Sequence, residues 1–100
     1  MRKIEKQMVD AVLNKNDFMS GNTAVYFISA NESGNINGSH SEVFLHNNHI
    51  ADYWHNSKEL AVNVKTLARW PTVTTKSRVR ALGANVTTKN YVTYLNGVSI

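Results

Sequence analysis

Four histidines, His40, His46, His49 and His55, are the residues in this 100-residue chain best suited to metal or acid–base chemistry. His46-x-x-His49 sets two imidazoles on either side of a tight turn, with Glu42 and Asp52 as the nearest carboxylates. Imidazole is a common transition-metal ligand. Two histidines at a solvated turn, with the carboxylates farther down the same hairpin, read more simply as polar turn residues, and no metal is expected. His40-Ser41-Glu42 matches half of a zinc-deaminase pattern, but the other half needs Cys and the chain has none. The same absence removes disulfides, thiolate metal sites and a Cys nucleophile. Ser, His and Asp all occur, but no G-x-S-x-G elbow exposes a nucleophile. The five glycines are scattered, so there is no P-loop and no dinucleotide fingerprint. The carboxylates are too dispersed to pair. The expectation is a non-enzyme without a cofactor.

The cations are a better lead. Residues 1–60 hold five Lys or Arg against seven Asp or Glu, a balance of −2; residues 61–100 hold six and no acid, a balance of +6. An acid-free stretch of forty residues points toward an anionic partner. The candidates are Lys65, Arg69, Lys76, Arg78, Arg80 and Lys89, with Trp70, Tyr91 or Tyr94 placed to stack on a base. Two plainer readings stand beside this one. Six charges on several elements need not share a face, and aromatic residues in strands usually serve a core.

These residues need elements to position them. With 42% hydrophobic and 18% charged residues the chain has the composition of one folded domain, 1–100. Residues 2–14 predict an amphipathic helix: Ile4, Met8, Ala11 and Val12 form one stripe, and Leu13 falls off it. Residues 14–22 read as a loop, with Phe18 or Met19 tucked against the helix. Strands are expected within 23–65, beginning with TAVYFIS at 23–29. They are interrupted by a mobile polar loop at 30–41, rich in Asn, Ser and Gly. Residues 42–54 predict a hairpin turning on Asn47–Asn48, which would set Leu45 opposite Ile50 and Phe44 opposite Ala51. Residues 60–65 read as a further strand.

The segment WPTVTTKSRVRALG, residues 70–83, organises the rest. Pro71 keeps Trp70 extended, Thr72, Thr74 or Thr75 can cap a short basic helix over 74–82 with Thr74 preferred, and Gly83 supplies the left-handed position that closes it. Lys76 and Arg80 lie four apart on one flank of that helix, with Arg78 on the other. Residues 85–100 read as a β-meander with turns near Lys89–Asn90 and at Asn96–Gly97. The fold class is α+β: an N-terminal helix, an antiparallel sheet of hairpins, and one short basic helix before the C-terminal hairpins. The longest apolar run, Ala24 to Ile28, is far short of the ~20 residues a membrane helix needs. The charged opening MRKIEKQMVDAVLNK has no apolar core of a signal peptide.

Several of these motifs occur together elsewhere. KIEKQMVDAV, NT-x-V at 22–25, VFLHNNHIA, WPTVTTKSRVRALG and the closing YLNG, in that order, resemble a widespread family of small tailed-phage proteins of unknown function. The resemblance covers most of the chain apart from residues 30–41, and it departs at Asn47–Asn48, where the family usually has Gly-Asn. It implies a phage origin and a small α+β fold, and it lends no catalytic residues; the expected site of action is the host cytoplasm. The expected function is a phage accessory protein that binds nucleic acid through Lys65, Arg69, Trp70, Lys76, Arg78, Arg80 and Lys89. The alternatives are a modulator of an acidic host or phage protein and, third, a minor virion component.

Overall fold

The computed structural model describes residues 2–33 and 38–100. Its elements are α1 (Lys3–Leu13), β1 (Phe18–Ser20), β2 (Thr23–Ile28), α2 (Ala30–Ser33), β3 (His40–Leu45), β4 (Asn48–Trp54), β5 (Glu59–Val62), α3 (Val64–Arg69), α4 (Val73–Ala81), β6 (Val86–Lys89), β7 (Val92–Leu95) and β8 (Val98–Ser99). β1 to β5 form an antiparallel sheet in sequence order, and β6 to β8 form a second, three-stranded one. The α+β class stands as expected.

α1 buries Met8, Ala11 and Val12 along its stripe and stops at exposed Leu13. These buried residues join one core with Val25 of β2, Val43 and Leu45 of β3, Ile50 and Ala51 of β4, Leu67 of α3, Val79 of α4 and Val86 of β6. The 14–22 segment is more than a loop. Phe18–Ser20 pairs with Thr23–Val25 as a short edge strand, with Phe18 packed on the core and Met19 exposed. In the 30–41 stretch, Ala30–Ser33 makes one helical turn and His40 already belongs to β3. Residues 34–37, the centre of the expected mobile loop, lie outside the described residues.

The β3–β4 hairpin turns one residue earlier than its Asn-Asn pair suggests. His46 and Asn47 carry the two positive φ angles, +50° and +63°, that a two-residue turn of this hand requires. The register therefore sets Leu45 opposite Asn48 and Phe44 opposite His49, and a bulge then returns Val43 opposite Ala51. The extra residue is Ile50. The bulge breaks the in–out alternation of the strand, so consecutive Ile50 and Ala51 are both buried. Its second effect is to bring His49 and Asp52, three apart, to the same face.

The expected strand over 60–65 ends at Val62. Asn63 caps α3 instead, its side-chain oxygen accepting from the Thr66 N–H at 3.2 Å, and Lys65 sits on that helix. Leu67 anchors α3 in the core, while Val64 is exposed.

α4 begins earlier than expected, because its cap is Thr72 and not Thr74. The Thr72 hydroxyl accepts from the Thr75 N–H at 3.1 Å. Thr72→Ala should therefore cost about 1 kcal/mol in urea unfolding, and Thr74→Ala should cost only a few tenths; equal losses would contradict the assignment. Gly83, at φ +113°, closes α4: its N–H bonds to the Arg80 carbonyl and the Ala84 N–H to that of Val79. In the C-terminal meander Asn96–Gly97 turns as expected, while the β6–β7 turn falls on Asn90–Tyr91, one residue later than expected.

Candidate functional site

The basic residues divide into one that builds the interior and five that remain outside. Arg78 is the correction. α4 rolls it inward, where it is 3% exposed, and its Nη1 donates to Glu5 Oε2 at 2.7 Å and its Nε to Thr23 Oγ1 at 3.1 Å. Ser77 Oγ donates to the same Glu5 oxygen, and the Arg2 N–H approaches the other at 3.4 Å. Thr23 in turn donates to Asn22. Burial alone would raise the Glu5 pKa, but the bonds from Ser77 and Arg78 outweigh it and hold the carboxyl below its ordinary value. Arg78 thus ties α1, β2 and α4 together and cannot meet an external anion.

Among the described residues, Lys65, Arg69, Lys76, Arg80 and Lys89 form no ion pair with a carboxylate. Lys65 and Arg69 lie four apart on α3, both exposed. Arg69 sits 5.8 Å from the ring centre of Trp70, which is half exposed. On α4, Lys76 donates to Thr88 Oγ1 at 2.6 Å and exposed Arg80 donates to the Val86 carbonyl at 2.7 Å. Both heads are held against β6 by neutral acceptors, which fix their position and leave their charge. Lys89 is exposed but next to Thr88 in β6, so strand alternation turns it to the other side of the ribbon. The cations therefore fall into an α3 pair beside Trp70, an α4 pair against β6, and Lys89 apart. Of the aromatics, Tyr91 is fully exposed at the β6–β7 turn and Tyr94 is half-buried.

Small-molecule chemistry finds little support. Trp70 borders a cavity of about 100 Å³ with Leu45, Ile50, Thr66 and Thr75, smaller than the ~300 Å³ at which ligand sites usually start. Among the described residues, the hollow beside Trp54, Asn56, Ser57 and Glu59 offers one ionisable group, too few for an acid–base pair. Ser41 Oγ and His55 Nε2 lie 2.8 Å apart, a nucleophile–base distance. Ser41, however, is fully buried and no substrate can reach it. Burial, with the nearby charges of Lys15 and His40, lowers the His55 pKa and suits it to accept the Ser41 proton as a structural bond.

His46 and His49 do not act as neighbours. His46 occupies the turn, with Asn22 at 3.5 Å. His49 turns to Asp52, 2.7 Å from its Nε2. His40 joins Glu42, its Nε2 3.1 Å from Oε2. The two pairs are adjacent, since Glu42 and Asp52 face each other across β3 and β4. The ligand atoms of His40, Glu42 and Asp52 lie within 4.8 Å of one another. Sequence spacing hides this group, because a regular strand would send His49 and Asp52 to opposite faces.

Among the described residues, no helix is long and apolar enough to cross a membrane. The family model described as Kyanoviridae Gp96 protein matches residues 1–100. No curated protein and no solved structure matches the chain.

Proposed function

The chain belongs to the Kyanoviridae Gp96 family of cyanophage proteins, and from that premise we propose that it is a non-enzymatic accessory protein that binds nucleic acid in the infected host's cytoplasm. Lys65, Arg69, Lys76 and Arg80 carry the binding, and Lys89 adds to it from the far side of the ribbon. The observation that carries this reading is that these cations keep their charge at the surface, with no carboxylate paired to them among the described residues. Phosphate attraction of this kind is indifferent to sequence. Trp70, half exposed beside Arg69, adds a ring on which an unpaired base can stack, which favours single strands over duplex.

The test is fluorescence anisotropy of labelled single-stranded and duplex oligonucleotides at low salt. Saturable binding with the single strand preferred is expected. Trp70→Ala should weaken single-strand binding by about 1–3 kcal/mol and leave duplex binding nearly unchanged. No binding of either probe at low salt would overturn the proposal.

A second reading, a modulator seated on a host or phage protein, draws support from the sheet face turned away from α1 and α4. There Met19 and Tyr26 are exposed, and Tyr26 meets Phe44 edge-on with ring centres 5.6 Å apart. Under that reading, Met19→Ser with Tyr26→Ser removes function while nucleic-acid binding stays absent throughout.

A further inference from the structure

We propose that His40, Glu42 and Asp52 form a binding site for a divalent transition-metal ion of the zinc type, with His49 positioning Asp52. One imidazole nitrogen and two carboxylates already converge, their ligand atoms within 4.8 Å of one another. Nitrogen and carboxylate oxygen are ligands that Zn²⁺ accepts at about 2.0–2.2 Å, and small side-chain rotations close the remaining distance. Strand geometry supplies the convergence. His40 and Glu42 are two apart on β3 and share a face, and Asp52 is the direct partner of Glu42 on β4.

His40, unlike the two carboxylates, is held deep in the fold. His40 is 7% exposed, and its Nδ1 is buried with no hydrogen-bond partner among the described residues. Coordination through Nε2, the nitrogen that faces Glu42, places the ring's one proton on that buried Nδ1, a cost the bonds to the ion must exceed. The imidazole itself is held in place. Its plane is fixed by stacking on Trp54, with ring centres 4.4 Å apart and planes 29° apart.

The surrounding bonds have the form of an outer shell. Asn63 Nδ2 lies 3.4 Å from His49 Nδ1 and donates to it, which leaves the His49 proton on Nε2, aimed at Asp52 Oδ1 2.7 Å away. Asn63 is itself held as the cap of α3. An oriented N–H on a ligating carboxylate is a recurrent device for fixing the ligand. Glu42 and Asp52 side chains keep 33% and 23% of their exposure, so an ion has a route in and a water can complete its shell.

The test is titration of the untagged full chain with Zn²⁺ by calorimetry and with Co²⁺ by visible absorption, at neutral pH. One equivalent should bind. Co²⁺ should gain the intense bands of a low-coordinate site, and the melting temperature should rise with added Zn²⁺. Glu42→Gln and Asp52→Asn, both conservative at half-exposed positions, should each weaken binding at least about tenfold, and His49→Gln by roughly 10–100-fold. His46→Ala, at the turn, should change nothing. Absence of saturable binding would overturn the site, as would affinity unmoved by both carboxylate variants or lost in the His46 variant. None of these outcomes depends on whether nucleic acid binds.

Discussion

Arg78→Met should destabilise the protein by about 3–5 kcal/mol, while Arg80→Gln, two residues away, should stay within about 1 kcal/mol of the parent. The difference lies in burial. Arg78 and Glu5 are each 3% exposed, and removing the guanidinium strands a carboxylate in the core. Such a loss is a large part of the 5–15 kcal/mol that holds a domain of this size. Arg80 is exposed and loses one part-buried bond to a backbone carbonyl, with no charge left unpaired. Glu5→Leu combined with Arg78→Met should cost less than Arg78→Met alone, because the double variant leaves no unpaired buried charge. Urea unfolding of the three variants decides the matter; an Arg78→Met variant as stable as the parent would refute the role assigned to the pair.

The same pair sets an acid limit. The folded Glu5 carboxyl is held below the ordinary value of 4.5 by Ser77 and Arg78 against the opposing effect of burial. A group with a depressed folded pKa stabilises fully above its unfolded pKa and ceases to do so as pH falls through the folded one. The Glu5 contribution should be level near neutral pH and decline from about pH 4.5 downward, below the separate decline that the lowered His55 pKa brings as pH falls through 6.5. In Glu5→Leu/Arg78→Met the part of that decline due to Glu5 should vanish.

The second large effect concerns binding. Replacing Lys65, Arg69, Lys76 and Arg80 together with Gln should reduce affinity for single-stranded DNA by on the order of hundredfold at moderate salt and leave the unfolding midpoint close to that of the parent. Each surface contact between unit charges at 4 Å is worth about 1 kcal/mol in water, and screening removes part of that. Four contacts thus contribute two decades or somewhat more. Arg78 does not belong in such a set, since it is buried and its removal acts on stability and not on the surface. Affinity unchanged in the fourfold variant would mean that the anion, if bound, sits elsewhere.

How far the sequence led can be judged element by element. The stripe of Met8, Ala11 and Val12, the closing Gly83 and the Asn96–Gly97 turn were legible because each is a local rule that tertiary packing reinforced. The Glu5–Arg78 pair was not: its members stand 73 positions apart, and counting charge by halves of the chain placed them in opposite tallies when in space they cancel. The one-residue hairpin shift at His46–Asn47 and the bulge at Ile50 escaped for a related reason. Core packing demanded that both Ile50 and Ala51 face inward, and no alternating pattern expresses that. The same bulge assembled His49 and Asp52 on the metal-binding face. α3 was missed although Asn63 and Thr66 carried a cap signal, because LAVNV alternates like a strand up to the residue that ends it.

The salt dependence of binding bears most directly on the account. Anisotropy titrations of a single-stranded oligonucleotide across a range of salt concentrations should give a straight line of log affinity against log salt. Its slope should be near −3, about −0.7 for each of four neutralised phosphates, and it should flatten toward zero in the fourfold Gln variant. A slope near zero in the parent protein, or no binding at the lowest salt, would show that the surface cations of residues 61–100 do not serve a polyanion.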